Sequence, residues 1–187
     1  GDKSATMATG YTSFDGVLKI VGERVAEEIF HSTWADLNAQ LESGIEKVFD
    51  EMISSASPKL KGLYNEGQVA FFVSPKIYKL YQTYLDEQFG TAIYNDIQNG
   101  RKQLMFRGFP IVEVNLQPYI ISASIPADFI VFTDRRNIVL AVNTADIPGA
   151  EIRMWYNPDE MQNRQRAIFM VGCEILDEQL MVYANFA

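Results

Sequence analysis

The sequence predicts an α+β protein, a mixed or largely antiparallel sheet with helices packed on one side of it. Three observations carry this. The C-terminal half is a succession of short β-branched and aromatic runs bounded by Pro, Gly, Asn and Asp. The N-terminal third carries helical periodicity instead. Between them, one strand-like run passes straight into a proline-started helix, an order that suits α+β rather than a doubly wound sheet.

Ser13 to Phe30 reads as a first helix, with Leu18, Val21, Val25 and Ile29 recurring every three or four residues. A second helical stripe runs through Trp34, Leu37, Leu41, Ile45, Val48 and Met52, with Thr33 and Asp36 as a capping-box start. Glu42, Glu46 and Asp50 fall on its opposite, solvated face. Such a stripe is a core face in the plainer reading and a partner-binding face in the other. Ser54-Ser55-Ala56-Ser57-Pro58 breaks the pattern.

Gln68 to Val73 is an apolar strand. Ser74-Pro75 then supplies an N-cap and a proline at the first helical position, where its missing N–H costs nothing. Ile77, Tyr78, Tyr81 and Leu85 give that helix its buried face, and Phe89-Gly90 ends it. Thr91 to Asn99 reads as a further short helix stopped by Gly100. Strands follow at Phe109–Asn115, Phe129–Thr133, Asn137–Asn143, Glu151–Tyr156, Ala167–Leu176 and Leu180–Tyr183. Asp134-Arg135-Arg136-Asn137 reads as a tight hairpin-like connection and Asp146-Ile147-Pro148-Gly149 as another turn.

The 187 residues suffice for one domain that buries roughly 70% of its unfolded surface. Net charge is -8, from 24 acidic and 16 basic residues, with the excess concentrated before Lys61. That balance repels phosphate backbones and disfavours sequence-specific nucleic-acid binding. No apolar run is long enough to span a bilayer.

Catalytic chemistry is sparse. His31 is the only histidine and Cys173 the only cysteine, so the usual nitrogen and sulfur zinc ligands cannot be assembled, and Cys173 reads as a buried, inert thiol. No phosphate-cradling glycine loop is present. The adjacent pairs Asp86-Glu87, Asp159-Glu160 and Asp177-Glu178 point in different directions on any regular element and read as solvated. The expectation is a protein with no enzymatic activity and no cofactor. Tyr119, Ile120 and Ile121, in an apolar loop from Leu116 to Pro126, are candidate subunit contacts, as are Arg135 and Arg136.

In order, five motifs resemble those of the major capsid proteins of tailed bacteriophages, which have the HK97-like fold. They are Ser13-Phe-Asp-Gly-Val-Leu-Lys-Ile, Val69-Ala-Phe-Phe-Val-Ser-Pro-Lys-Ile-Tyr, Phe106-Arg-Gly-Phe-Pro-Ile-Val-Glu-Val, Ile125-Pro-Ala-Asp-Phe-Ile-Val-Phe-Thr-Asp-Arg-Arg-Asn-Ile-Val-Leu, and the stretch from Ile168 to Ala184. The resemblance implies a helical segment at 1–67 belonging to the peripheral region. It implies an axial α+β domain at 68–187, whose last strands return to the periphery. It also implies a structural subunit of a phage or prophage shell, made in the bacterial cytoplasm. Its partners would be copies of itself, with portal or scaffolding proteins, and neither a membrane nor a sequence-specific nucleic acid. The family's N-terminal arm and extended β-hairpin loop find no match before this region, so the expectation is a trimmed piece of such a protein. The other class considered is a small α+β ligand- or protein-binding module, with a carboxylate-only enzyme third.

Overall fold

A computed structural model describes residues 15–24, 30–33, 37–89, 96–98, 101–116, 118, 128–142, 150–169 and 171–186. In chain order the helices are α1 (Val17–Arg24), α2 (Leu37–Ser55), α3 (Pro58–Gly62) and α4 (Pro75–Phe89). The strands are β1 (Phe30–Thr33), β2 (Val69–Val73), β3 (Asp96–Gln98), β4 (Arg101–Phe106), β5 (Phe109–Glu113), β6 (Asp128–Asp134), β7 (Ile138–Val142), β8 (Ala150–Asn157), β9 (Gln162–Phe169), β10 (Val171–Ile175) and β11 (Met181–Phe186).

Seven strands form one mixed sheet in the order β1-β11-β6-β2-β5-β4-β3. β1 runs parallel to β11 and β2 parallel to β5, while β11–β6, β6–β2, β5–β4 and β4–β3 are antiparallel. Alternation along the central strands sorts side chains onto two faces. Val69, Phe71, Ile130, Phe132, Val182 and Ala184 join one core cluster. Phe129, Val131, Met181 and Tyr183 join the other.

The first face carries most of the helical mass. Ile45, Val48, Phe49 and Met52 of α2, Leu60 of α3, and Ile77 and Tyr81 of α4 are all buried there. Phe49 meets Phe71 edge-on at 4.9 Å and Tyr81 at 5.3 Å, the edge-to-face geometry that aromatic quadrupoles favour. This core draws on residues both before and after position 67. On the opposite face, the short α1 places Leu18 and Val21 against Phe129, Val131 and Ile175.

The stripe on α2 is therefore a core face, at Ile45, Val48 and Met52. Trp34 lies outside the described residues. Glu46 and Asp50 are half-buried rather than solvated. Gly44 adopts φ 155° and ψ 83° and kinks the helix. A Cβ there would stand 2.7 Å from Glu46 Oε1. Both acids lie beyond the kink with the core residues; the buried face there also includes Phe49, next to Asp50 and one turn from Glu46, so it is wider than the stripe. Asp50 receives Arg107, with Nε 2.6 Å from Oδ1 and Nη2 2.7 Å from Oδ2.

Local signals explain several boundaries. Ser57 caps α3 by accepting from the Leu60 N–H, and Pro58 follows at N1, so the breaker cluster also starts a helix. Ser74 precedes Pro75 at the start of α4, and its Oγ donates to Asp128 Oδ1 at 3.1 Å. Arg107 and Gly108 both have positive φ (48° and 88°) in the two-residue turn between β4 and β5, as the twist of a tight hairpin requires.

Four sequence expectations give way. Phe30 and His31 lie on strand β1 beside β11, where pairing replaces the end of the first helix. Asp96–Gln98 is a strand hydrogen-bonded to β4, not the end of a helix from Thr91; residues 91–95 lie outside the described range. The run from Ala167 to Leu176 divides between β9 and β10, which pair with different strands. The 134–137 segment is not a hairpin. Both edges of β6 are occupied by β2 and β11, so β7 leaves that sheet and pairs with β10. The 146–149 turn lies outside the described residues.

Candidate assembly surface

The polypeptide leaves the main sheet near Asn137 and returns near Asp177, and the described strands between them form two antiparallel ribbons, β7–β10 and β8–β9. The point of departure is a polar knot. Asp134 is 1% exposed, and its side chain accepts from the Arg136 N–H at 2.8 Å, capping the single 3-10 turn Arg135–Asn137. Arg136 Nη2 lies 2.7 Å from Asp134 Oδ2 and 2.5 Å from Glu66 Oε2. These hydrogen bonds hold the Asp134 carboxyl below its usual range and raise the Arg136 guanidinium above its own.

Buried Asn137 continues the knot. Its Nδ2 donates to the Asp177 carbonyl at 2.9 Å, and the Asp177 N–H donates back to Oδ1 at 2.8 Å. The Asp177 side chain accepts from the Gln179 N–H and pairs with Lys59, which together lower its pKa. The pair Asp177-Glu178 is thus half-buried and structural at its first member. Asp86-Glu87 sits near the end of α4, and Asp159-Glu160 in the exposed β8–β9 turn.

Of the sequence-derived contact residues, Arg135 and Arg136 are both exposed, at the root of the ribbons, and Arg136 already holds Asp134 and Glu66. Tyr119, Ile120 and Ile121 lie outside the described residues. Cys173, on β10, is half-buried rather than buried; burial, then the neighbouring Glu174, pushes its thiol pKa up, away from the reactive thiolate. Burial likewise pushes the Tyr64 and Tyr81 phenols up to about 12.

Among the described residues no group of three or more His, Cys, Asp or Glu could hold a metal ion. No described helix is long and apolar enough to cross a membrane. A cavity of about 420 Å³ opens on the β8–β9 ribbon between Met154, Trp155, Tyr156, Asn163, Arg164 and Gln165, away from the apolar core. What this region presents instead is apolar surface: Leu140 and Val142 on β7, Met154, Trp155 and Tyr156 on β8, and Met161 in the turn are all exposed. These exposed apolar side chains are spread over the two ribbons and both faces of β8, and they are the candidates for contact surface. Sequence reasoning identified the 151–156 strand without singling out these side chains. The available signal was its partner, Gln162-Asn-Arg-Gln-Arg, too polar for a strand buried on either face.

No family model matches the sequence, and no curated protein matches it. Likeness appears at the level of structure. A chain of Mycobacterium phage Che8 superposes with a TM-score of 0.51 at 16% identity, covering 89% of this chain and 57% of that one. A chain of the satellite phage P4 procapsid including size determination (Sid) protein superposes with a TM-score of 0.52 at 13% identity, covering 93% of this chain and 52% of that one. This chain spans just over half the length of each. The α+β fold, with its mixed sheet and flanking helices, is shared with these chains of a phage and of a phage procapsid.

Proposed function

We propose that this chain is a structural subunit of a phage or prophage capsid with the HK97-like fold, working through contacts between copies and not through catalysis. The observation that carries this reading is the fold likeness to phage particle chains over about nine tenths of the sequence. The surface supports it: apolar side chains stand exposed on ribbons outside the main sheet, as a tiling subunit needs. The five sequence motifs support it independently. The cavity offers no competing reading, since it is open on the ribbon and is not a deep apolar pocket with convergent polar groups.

On this reading, residues 1–67 belong to the peripheral part of the subunit and 68–187 to the axial part. The protein resides in the virion shell after synthesis in the host cytoplasm, with portal or scaffolding proteins as further partners. It needs no cofactor. Tyr119, Ile120 and Ile121 are candidate contacts between copies, as are Arg135 and Arg136. Mass spectrometry of density-purified particles from the organism that carries the gene tests the assignment. This chain should be among the most abundant proteins of the particle, and its absence from particles would overturn the reading. Tyr119→Asp or Ile121→Asp should block assembly without unfolding the subunit.

A further inference from the structure

The β8–β9 ribbon pairs with no other strand among the described residues. A lone two-stranded ribbon is marginally stable in water. This one is about 26 Å long, at eight residues per strand, and exposes Met154 at 76%, Tyr156 at 58% and Met161 at 82%.

The register shows what the ribbon offers. Arg153 stands opposite Arg166 and Trp155 opposite Arg164, and alternate residues share a face, so these four side chains line one side. Arg164 pairs with Glu160 in the turn. The two strands carry three arginines against the single acid Glu151, whereas the chain as a whole has 24 acidic and 16 basic residues. A surface of arginines around a tryptophan, with methionine and tyrosine on the reverse, has the composition of an interface centre. Its electrostatic complement is carboxylate-rich. Another copy of this acidic chain supplies one, with Glu87 on α4 and Glu113 at the end of β5 exposed.

We propose that the Arg153–Trp155–Arg164–Arg166 face of the β8–β9 ribbon is a contact surface that seats on a carboxylate-bearing surface of a second copy of this chain. The inference rests on the reading of the chain as a self-assembling subunit and names one surface that reading leaves unassigned. The alternative ligand for such a face, a nucleic-acid backbone, is disfavoured by the net charge of -8.

The test uses the product of the whole reading frame with a photo-crosslinking benzoylphenylalanine in place of Trp155, mixed with isotope-labelled copies. Cross-linked peptides joining light and heavy copies, ending on acidic segments, are expected. Cross-links confined to one copy, cross-links to nucleic acid, or none would each overturn the proposal. In parallel, Arg153→Glu with Arg166→Glu should weaken self-association at least tenfold by sedimentation velocity, with an unchanged circular dichroism spectrum. Arg153→Ala with Arg166→Ala should weaken it in the same direction if the charge reversal fails to fold. Variants that assemble as readily as wild type would remove the ribbon contact and leave the capsid reading standing. A wild-type chain absent from particles and unable to form them would remove the capsid reading itself.

Discussion

Asn137 and Asp177, forty residues apart, are joined by two reciprocal hydrogen bonds where the chain leaves the main sheet and where it returns. Asn137 is 2% exposed, and its amide also donates to Thr133 Oγ1 at 3.3 Å. This pair closes the root of the ribbons, and Ile175 of β10 ties them further to the second core.

Asn137→Ala removes those bonds and leaves the Asp177 N–H and carbonyl short of partners in a largely desolvated site. The expected loss is about 2–4 kcal/mol, given the penalty for unsatisfied buried groups. Urea denaturation gives the number. A loss below about 0.5 kcal/mol would mean that water replaces the amide freely and that the ribbon root is not held as described.

Asp134 should make that same knot sensitive to acid. The Arg136 hydrogen bond lowers its pKa on folding, so its contribution is fully present above the unfolded value of about 3.9 and is lost as pH falls through the folded value. Asp134→Asn should cost about 1–2 kcal/mol at pH 7, the arginine's exposure moderating the effect of the charge. The gap between wild type and variant should close below about pH 4. Chemical denaturation at pH 7, 4 and 2.5 checks this, and a gap that stays constant would contradict it.

In the main core, Phe49→Ala should destabilise by about 3–5 kcal/mol, because a fully buried ring against Phe71 and Tyr81 leaves a cavity the rigid sheet cannot fill. Thermal melting, compared with an exposed control such as Met154→Ala, measures it. Equal effects at the two positions would contradict the assignment of core and surface.

Much of the main sheet was legible because its chemistry is local. Gln68–Val73 and Phe129–Thr133 are apolar on both faces and became the sheet's central strands, β2 and β6, and Ser74-Pro75 marked the start of α4 to the residue. Pairing was less legible. Phe30–Thr33 is a strand because β11 offers it a parallel edge, a fact held in residues some 150 positions away. Arg101–Phe106 begins with charge and hid its strand, although Arg107-Gly108 before Phe-Pro was a hairpin signal. The helical wheel left out Phe49, whose burial widens the core face of α2 and brings Glu46 and Asp50 partly under cover. One histidine and one cysteine made the expectation of a contact surface legible. The exposed ribbon was not, since exposure of Met154 and Trp155 depends on which strands do not pair beside them.

Electron microscopy of the product of the whole reading frame tests the central claim most directly. The account predicts rings or closed shells whose repeating unit contains the seven-stranded sheet β1-β11-β6-β2-β5-β4-β3, with the β8–β9 ribbon reaching a neighbouring copy. A chain that stays monomeric at every concentration, salt and pH tried would contradict it.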